Sequence, residues 1–269
     1  MNSKKKKLYL VLLFLVTICC IFFGTLFHVI GALGNLASNI IHGDTDHDWN
    51  IFENYDYKNS DKEQLDSFSN INADMSVCDI TIKTGETYAV SYKASEKMVP
   101  NFQVKDDTLQ ISQPKGSDVF HIGNQGCSLI LTVPEDANLK DLKLTCDVGD
   151  ISLNQLNISA LTLDADVGDI DLNDSNIDTS IITSNIGDVD ISQCSYQLMK
   201  VTSDTGDLDV EDTVQASQDS IDVSVDIGEI NIDSSDSKNV DGISKSYRST
   251  GDSGRSFTAS TDTGDISIE

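Results

Sequence analysis

A seven-residue pattern that recurs along the second half of the chain limits its possible folds more than any other feature. Four copies have central glycines at a constant separation of nineteen positions, and two more copies follow after longer intervals of twenty-two and thirty-six. The six glycines are Gly149, Gly168, Gly187, Gly206, Gly228 and Gly264. Self-similarity at a fixed period is typical of repeat architectures, in which similar units stack on one another.

Each copy combines a turn with alternating aliphatic residues. The residues two and four positions after the glycine are aliphatic in all six copies, as Ile151 and Leu153 are in the first. A second alternating stretch precedes the glycine, as at Leu161. Alternation with period two predicts strands with one buried face. Since one unit of the repeat is too short to bury its own core, we expect an all-β solenoid of parallel coils, with Ile151, Ile170 and Val189 in adjacent layers.

The glycine of each copy is followed by an acidic residue and then a strand, and it is preceded by Asp-x in five copies and by Asn185-x in the third. A glycine in that position predicts a turn with positive φ, which a Cβ would strain. We expect this structural role at all six glycines of the pattern.

Stacking also aligns the acidic residues of successive copies in rows. Neighbouring coils lie about 4.8 Å apart, so adjacent carboxylates repel by roughly 1 kcal/mol in water. One interpretation is that calcium binds between the coils. Its ligands would be Asp147, Asp150, Asp166, Asp169, Asp188, Asp204 and Asp207. The other interpretation is that each carboxylate accepts backbone N–H groups in its turn and is screened by salt. No other cofactor is predicted.

The N-terminal segment at 1–36 differs in character from the repeats. Residues 8–27 carry no charge, and the apolar character continues to about residue 36. A stretch of this length crosses a bilayer core of about 30 Å as a helix. Four lysines at 4–7 precede it, which predicts a cytoplasmic N-terminus and an extracytoplasmic remainder at the cell membrane. A cleaved signal peptide is the alternative, although its apolar region usually has about 7 to 15 residues.

The sequence therefore predicts four segments. They are a cytoplasmic tail at residues 1–7, a transmembrane anchor at 8–36, a juxtamembrane linker at 37–67 and a β-solenoid domain at 68–269 with a polar insertion at 234–256. The insertion carries several basic residues, and it is either a disordered loop or a loop that contacts a partner. No capping element is evident after Ile268, so we expect either an open sheet edge, which would favour self-association, or a capping element that the sequence does not reveal.

The charge of the chain excludes nucleic acid as a partner. Lys4 to Lys7 are four of the 18 basic residues, and no acidic residue precedes Asp44. The part beyond the anchor therefore holds 14 basic and all 44 acidic residues, a net charge of −30. Phosphates need a basic surface, so the chain is not expected to bind nucleic acid.

Four cysteines lie beyond the predicted anchor, and an even number outside the cytoplasm permits disulfides in three pairings. They are Cys78, Cys127, Cys146 and Cys194. The separation of Cys127 and Cys146 equals one period of the repeat, so they could be neighbours in adjacent coils. Cys146 also falls in a column with Ala165 and Ser184, where a small residue suffices.

Sequence signatures of enzymes are missing from the chain. It has no metal-binding pair of histidines at helical spacing, no nucleophile elbow and no phosphate-binding loop. Carboxylates are abundant, as in polysaccharide-active β-helix enzymes, but a stack produces pairs of carboxylates without catalysis. The protein is therefore expected not to be an enzyme.

Residues 68–269 carry a combination of motifs that resembles a known family. The motifs are an opening with Val77, Asp79, Ile80 and Ile82, a VPED step at 133–136 and the repeated D-x-G-D-I-x-I coils. This combination resembles the putative-adhesin family, which comprises bacterial envelope domains of unknown function. The resemblance implies a right-handed parallel β-helix on the outer face of the membrane. Cys78 in place of glycine and the long interval before Gly264 depart from the family pattern.

The features together predict a membrane-anchored, extracytoplasmic β-solenoid that acts as a non-catalytic binding or scaffold module of the bacterial cell envelope. Its partner would be an envelope protein or the cell wall. Some members of the family accompany envelope-stress signalling genes, so one alternative is an accessory or sensor protein of an envelope-stress response. The other alternative is a polysaccharide-active β-helix enzyme.

Overall fold

The computed structural model describes residues 57–60, 62–114, 126–232, 238–240 and 244–269. The predicted tail at 1–7, the anchor at 8–36 and the linker up to residue 56 lie outside the described residues. No helix among the residues that are described is long and apolar enough to cross a membrane.

About two thirds of the described residues lie in β-strands, and the only helix among them is a short 3-10 helix, η1, at Glu96–Met98. The strands are β1 (Tyr57–Asn59), β2 (Glu63–Gln64), β3 (Asn70–Val77), β4 (Asp79–Gly85), β5 (Ala89–Ser95), β6 (Asn101–Lys105), β7 (Thr108–Ser112), β8 (Cys127–Pro134), β9 (Leu139–Val148), β10 (Ile151–Asn154), β11 (Asn157–Val167), β12 (Ile170–Asn173), β13 (Asn176–Ile186), β14 (Val189–Ser192), β15 (Ser195–Thr205), β16 (Leu208–Glu211), β17 (Ser220–Ile227), β18 (Ile230–Ile232), β19 (Lys238–Val240), β20 (Lys245–Ser249), β21 (Ser256–Thr263) and β22 (Ile266–Ile268). β1 and β2 lie inside the segment predicted as a linker, and both pair with β5.

The strands form two sheets, one of 12 strands and one of 10. Each coil gives a longer strand to the ten-stranded sheet, then turns and gives a shorter strand to the twelve-stranded sheet. The turn is at a glycine in every coil except β3–β4, where it is at Cys78. In the order of the stack, the coils are β3–β4, β9–β10, β11–β12, β13–β14, β15–β16, β21–β22 and β17–β18. The predicted all-β solenoid is therefore the observed architecture.

Pairing between successive coils is parallel and follows the period of the repeat. Ile151 pairs with Ile170, and Ile170 pairs with Val189. All three side chains are fully buried between the two sheets. Each such side chain stabilises the fold by roughly 1.5–3 kcal/mol. The prediction that these residues occupy adjacent layers is confirmed.

The order of the coils in the stack differs from their order in the chain at the C-terminal end. β21 lies between β15 and β17, and β22 lies between β16 and β18. The expectation of an open edge after Ile268 is therefore wrong, because β22 has a parallel neighbour on each side. The outer sides of β17 and β18 are covered by the antiparallel strands β20 and β19, respectively.

The insertion at 234–256 thus contributes two strands to the end of the stack. The interpretation of the whole insertion as a disordered loop is wrong for its described parts, since Lys238–Val240 and Lys245–Ser249 are paired strands. The two longer intervals between glycines also have a physical reason. The first interval leads from β16 to the outer coil β17–β18. The second interval contains the covering strands β19 and β20, and after it the chain returns to form β21–β22 between β15–β16 and β17–β18.

The opposite end of the stack is closed by residues 86–114 and 126–138, which follow the first coil. β7 pairs in parallel with β3, and β8 pairs in parallel with β4. β7 ends before Gln113, and from there the Gln113 side chain, instead of a neighbouring strand, accepts backbone hydrogen bonds from β3. Its Oε1 accepts the N–H groups of Ser76 and Val77 at 3.0 and 2.9 Å, and its Nε2 donates to the Met98 carbonyl at 2.7 Å.

A disulfide joins Cys78, between β3 and β4, to Cys127 at the start of β8. The pairing of Cys127 with Cys146 considered from the sequence is therefore wrong. Cys146 and Cys194 are buried free thiols. Cys146 instead occupies the predicted column of small residues, where it pairs in register with Ala165.

Candidate functional site

The turn at each glycine brings two coils closer together than any side chain would permit. Gly168 has φ +140°, and a Cβ built on it would lie 2.2 Å from the carbonyl oxygen of Gly149 in the preceding coil. The predicted positive φ is confirmed at all six glycines. The close approach between coils is a second requirement for glycine, and the sequence analysis did not foresee it.

The acidic residues that follow the glycines, together with Asp79 after Cys78, form a row held by backbone hydrogen bonds, which we call the capping row. In stack order, it consists of Asp79, Asp150, Asp169, Asp188, Asp207, Asp265 and Glu229. Each aspartate accepts, through Oδ1, the backbone N–H of the next acidic residue. The distance is 3.0 Å from Asp169 N to Asp150 Oδ1 and 2.9 Å from Asp188 N to Asp169 Oδ1.

These bonds agree with the second interpretation of the acidic rows, in which carboxylates accept backbone N–H groups. The donor differs from the expectation, because it belongs to the next coil and not to the carboxylate's own turn. The capping row therefore ties neighbouring coils together. No group of three or more His, Cys, Asp or Glu residues placed to hold a metal ion occurs within the described ranges. The calcium ladder stays a prediction.

The acidic residues that precede the glycines form a second row, the flanking row. It contains Asp147, Asp166, Asn185, Asp204, Asp262 and Asp226. Asn185 interrupts the run of carboxylates, and its Nδ2 donates to Asp166 Oδ1 at 2.8 Å. At the end of the stack, the hydroxyl of Ser244 donates to Asp226 Oδ1 at 3.2 Å. Both contacts reduce the repulsion along the row, since each replaces a neighbouring carboxylate by a donor.

A third acidic row, which the sequence analysis missed, lies on the outer face of the twelve-stranded sheet. Asp171, Asp190 and Asp209 are register neighbours on β12, β14 and β16. The pKa of each is raised, first by partial burial and then by neighbouring aspartates, among them residues of the capping row. The signal was present in the sequence, because these three copies have aspartate between their two buried aliphatic residues.

The other end of the long strands carries a polar groove of two cavities, of about 380 and 210 Å³. The cavities share Asp178 in their lining. Along the groove, Asn176 Nδ2 donates to Asn157 Oδ1 at 2.8 Å and Ser195 Oγ donates to Asn176 Oδ1 at 2.6 Å. The amide side chains thus form a ladder that follows the stack.

Beside the smaller cavity, a buried carboxylate joins three coils. Asp219 is fully buried and accepts the Tyr196 hydroxyl at 2.9 Å, the Ser253 hydroxyl at 2.8 Å, Arg255 Nε at 2.9 Å and the Gln215 backbone N–H at 2.9 Å. Burial alone would raise the pKa of Asp219, but the hydrogen bonds and the charge of Arg255 lower it below its usual value. The guanidinium of Arg255 also lies 5.4 Å from the centre of the Tyr196 ring.

The Asp219 network connects strands that are distant in the chain but adjacent in the stack. Tyr196 belongs to β15, Arg255 directly precedes β21 and Asp219 directly precedes β17. The network therefore joins β21–β22 to the two coils on either side of it, β15–β16 and β17–β18. Both arginines of the chain fall in the predicted insertion, but nothing in the repeat indicated which carboxylate would meet Arg255.

Comparison with protein families gives a match over residues 68–232 to the family described as Toastrack DUF4097, which covers more than half of the chain. A comparison with curated proteins finds no match.

Solved bacterial structures are similar to the chain over most of its length. A "putative cell adhesion protein" from Clostridium sporogenes has 17% identity and a TM-score of 0.47, with 78% of this chain and 99% of that chain covered. A "putative adhesin" from Bacteroides fragilis has 14% identity and a TM-score of 0.45, with coverage of 80% and 97%. A "putative lipid binding protein" from Parabacteroides distasonis has 10% identity and a TM-score of 0.36, with coverage of 80% and 98%. Likenesses at this level carry no conclusion about what the chain binds.

Proposed function

Because the chain belongs to the Toastrack DUF4097 family, we propose that it is a membrane-anchored, extracytoplasmic binding or scaffold module of the bacterial cell envelope that acts without catalysis. The proposal includes an uncleaved anchor at residues 8–36 and right-handed coils. It draws on the apolar N-terminal stretch, on the lysines that precede it and on the resemblance to the putative-adhesin family.

The observation that carries the proposal is the regular repetition of surface positions along the stack. The outer face of the twelve-stranded sheet presents the same positions in coil after coil, as in the register from Ser152 to Asp171, Asp190 and Asp209. Solenoids use such extended surfaces to bind large partners. The carboxylates of the capping row, which are the most numerous candidate groups, are engaged in holding adjacent coils together. That engagement supports a binding surface in preference to a catalytic site.

The location and the binding role are tested with cells of a bacterial host that express the full chain. We expect the chain to stay in the membrane after an alkaline carbonate wash, and protease added outside to remove the solenoid from intact cells. Cells that display the chain should adhere to immobilised cell-wall polysaccharide or to other bacterial cells more than host cells without it do. The protease treatment should abolish the difference.

Each alternative has its own outcome in the same experiment. Release of the chain by carbonate, with a new N-terminus near residue 36, would show that the apolar stretch is a cleaved signal peptide. Surface display without increased adhesion, together with co-purification of an integral membrane partner, would favour an envelope-stress sensor. Breakdown of wall polysaccharide by the purified chain would favour an enzyme. Any of these results would overturn the corresponding part of the proposal.

A further inference from the structure

Three exposed aliphatic residues line up across successive coils at the glycine turn. Val148, Val167 and Ile186 are register neighbours, and they are 43%, 43% and 55% exposed, respectively. We call these three residues the apolar stripe. The same column holds the partly buried Val77 before Val148 and Thr205 after Ile186, so its exposed aliphatic part spans three layers. Exposed aliphatic residues in register across three coils differ from the isolated ones that any protein surface carries.

The surroundings of the apolar stripe give it a defined shape and charge. Each residue of the stripe is followed directly by a glycine of the repeat, so a trough without side chains runs beside it. Since the chain crosses the stack axis at each coil, residues before and after the stripe form rows parallel to it. In chain order, Asp147 and Asp166 of the flanking row precede the stripe, and Asp150 and Asp169 of the capping row follow it after the glycine.

The acidic rows beside the stripe determine which charge a bound ligand should carry. An apolar ligand without charge would bring its surface close to carboxylates on both sides, and their desolvation would oppose binding. A second copy of this chain would bring two acidic rows against two more, and like charges in contact are unfavourable. A ligand with an apolar face and basic groups on both flanks satisfies the stripe and both rows at once.

The spacing of the coils selects the secondary structure of an occupant that lies along the stack. Coils are about 4.8 Å apart, whereas an α-helix advances about 5.4 Å per turn, so over the two steps of the stripe the mismatch is about 1.2 Å. In a strand, residues on one face are about 6.7 Å apart, so the mismatch over the same two steps is about 4 Å. A helix can therefore place one side chain against each residue of the stripe.

We propose that the apolar stripe docks a cationic amphipathic helix of a partner protein. One aliphatic residue per turn packs against Val148, Val167 and Ile186, and Lys or Arg residues on both flanks face the two acidic rows. Helix-in-groove recognition of this kind is read through residues at i, i+3 or i+4, and i+7. The inference rests on the proposed binding role and specifies its partner, but it does not require adhesion to cells.

The test uses the full chain in phosphatidylcholine nanodiscs and a fluorescent synthetic peptide. The peptide has Leu at i, i+4 and i+7 and Lys on both flanks of that face, and binding is followed by anisotropy after subtraction of empty nanodiscs. In the test variant, Val148→Thr, Val167→Thr and Ile186→Thr are combined, since Thr205 shows that threonine fits this column. The matched control combines Ile181→Thr and Leu198→Thr, which are 50% and 52% exposed outside the stripe.

We expect the test variant to bind the peptide at least about tenfold more weakly than the unaltered chain, and the control variant to bind as the unaltered chain does. Binding should weaken as salt rises, and a peptide of the same composition with Leu and Lys scrambled should bind poorly. Equal affinities of the two variants, or equal binding of the scrambled peptide, would overturn the proposal. So would self-association that is lost only in the test variant, because the stripe would then serve a second copy. The adhesion assay tests the proposed function separately: if the docking proposal fails but cells that carry the test variant still adhere, the proposed function is retained.

Discussion

Replacing Gly168 by alanine is expected to separate two coils. Two other glycines serve as controls, because they distinguish the cost of positive φ from the cost of the close approach between coils. Alanine at Gly168 must adopt φ near +140° and must place its Cβ 2.2 Å from the Gly149 oxygen. Gly254 has φ +81° with nothing within 4 Å of the place that a Cβ would take, so alanine there meets the strain alone. Gly126 has neither constraint, because its surroundings are open and its φ is not in the positive region.

The size of the effect follows from the bonds next to the contact. An unfavourable φ costs about 1–3 kcal/mol. To relieve the overlap, the coils must move apart where Gly149 N donates to Val167 O, Ile151 N donates to Asp169 O and Asp169 N donates to Asp150 Oδ1. Each of these bonds contributes roughly 0.5–1.5 kcal/mol. If all three bonds are lost, we therefore expect Gly168→Ala to cost about 2.5–7.5 kcal/mol in total.

The measurement is the midpoint of thermal unfolding, followed by circular dichroism on the full chain in detergent. For a domain of this size, 1 kcal/mol corresponds to about 2–4 °C, so Gly168→Ala should lower the midpoint by about 5–30 °C. Gly254→Ala should lower it by a few degrees, and Gly126→Ala should leave it within error. If Gly168→Ala and Gly254→Ala gave equal midpoints, the close approach between coils would not contribute and the reasoning would be refuted.

Four further outcomes are expected. Asp219→Ala should destabilise the fold by about 3–5 kcal/mol, since Arg255 loses its buried partner, and a smaller loss than that of an exposed aspartate would contradict this role. The pKa of Asp190 is raised in the folded chain, so its charged form destabilises the fold at any pH above the pKa of an unfolded aspartate, 3.8. Asp190→Asn should therefore raise the unfolding midpoint at pH 7 and leave it unchanged below pH 3.8. Joint replacement of Cys78 and Cys127 by serine should cost about 4 kcal/mol by loop entropy, whereas a reduced chain that melts like the oxidised one would argue against the disulfide. Calcium should raise the midpoint no more than a monovalent salt of equal ionic strength if backbone N–H groups alone satisfy the capping row, and a larger rise would establish the calcium ladder.

The stacking of the coils could be predicted from the sequence because the same alternation recurs at a fixed period. Burial of Ile151 and Ile170 requires neighbours with the same pattern, and parallel pairing one period apart is the arrangement that supplies them. The turn glycines were found because a short pattern repeated around them.

The order of the last two coils could not be predicted, because the coils of residues 220–232 and 256–268 carry the same alternation. Either could pair with β15 and β16 by pattern alone, and local sequence does not specify which parallel neighbour a strand takes. The choice depends on the Asp219 network and on the covering strands β19 and β20, whose contacts are distant in sequence. The hydrogen bonds between Gln113 and β3 could not be predicted for a similar reason, since they join residues that are distant in sequence.

The position of β21 and β22 has a consequence for how the protein is made. During synthesis, residues 220–232 leave the ribosome before residues 256–268, yet they must leave room for the later segment beside β15 and β16. In the native order, the nascent domain can extend its coils only as far as Glu211 until residues 256–268 have been made. A product that ends between the two segments would either leave the place beside β15 and β16 empty or fill it with β17 and β18, which carry the same alternation. Synthesis through residue 268 is therefore needed before the coils can reach their native order.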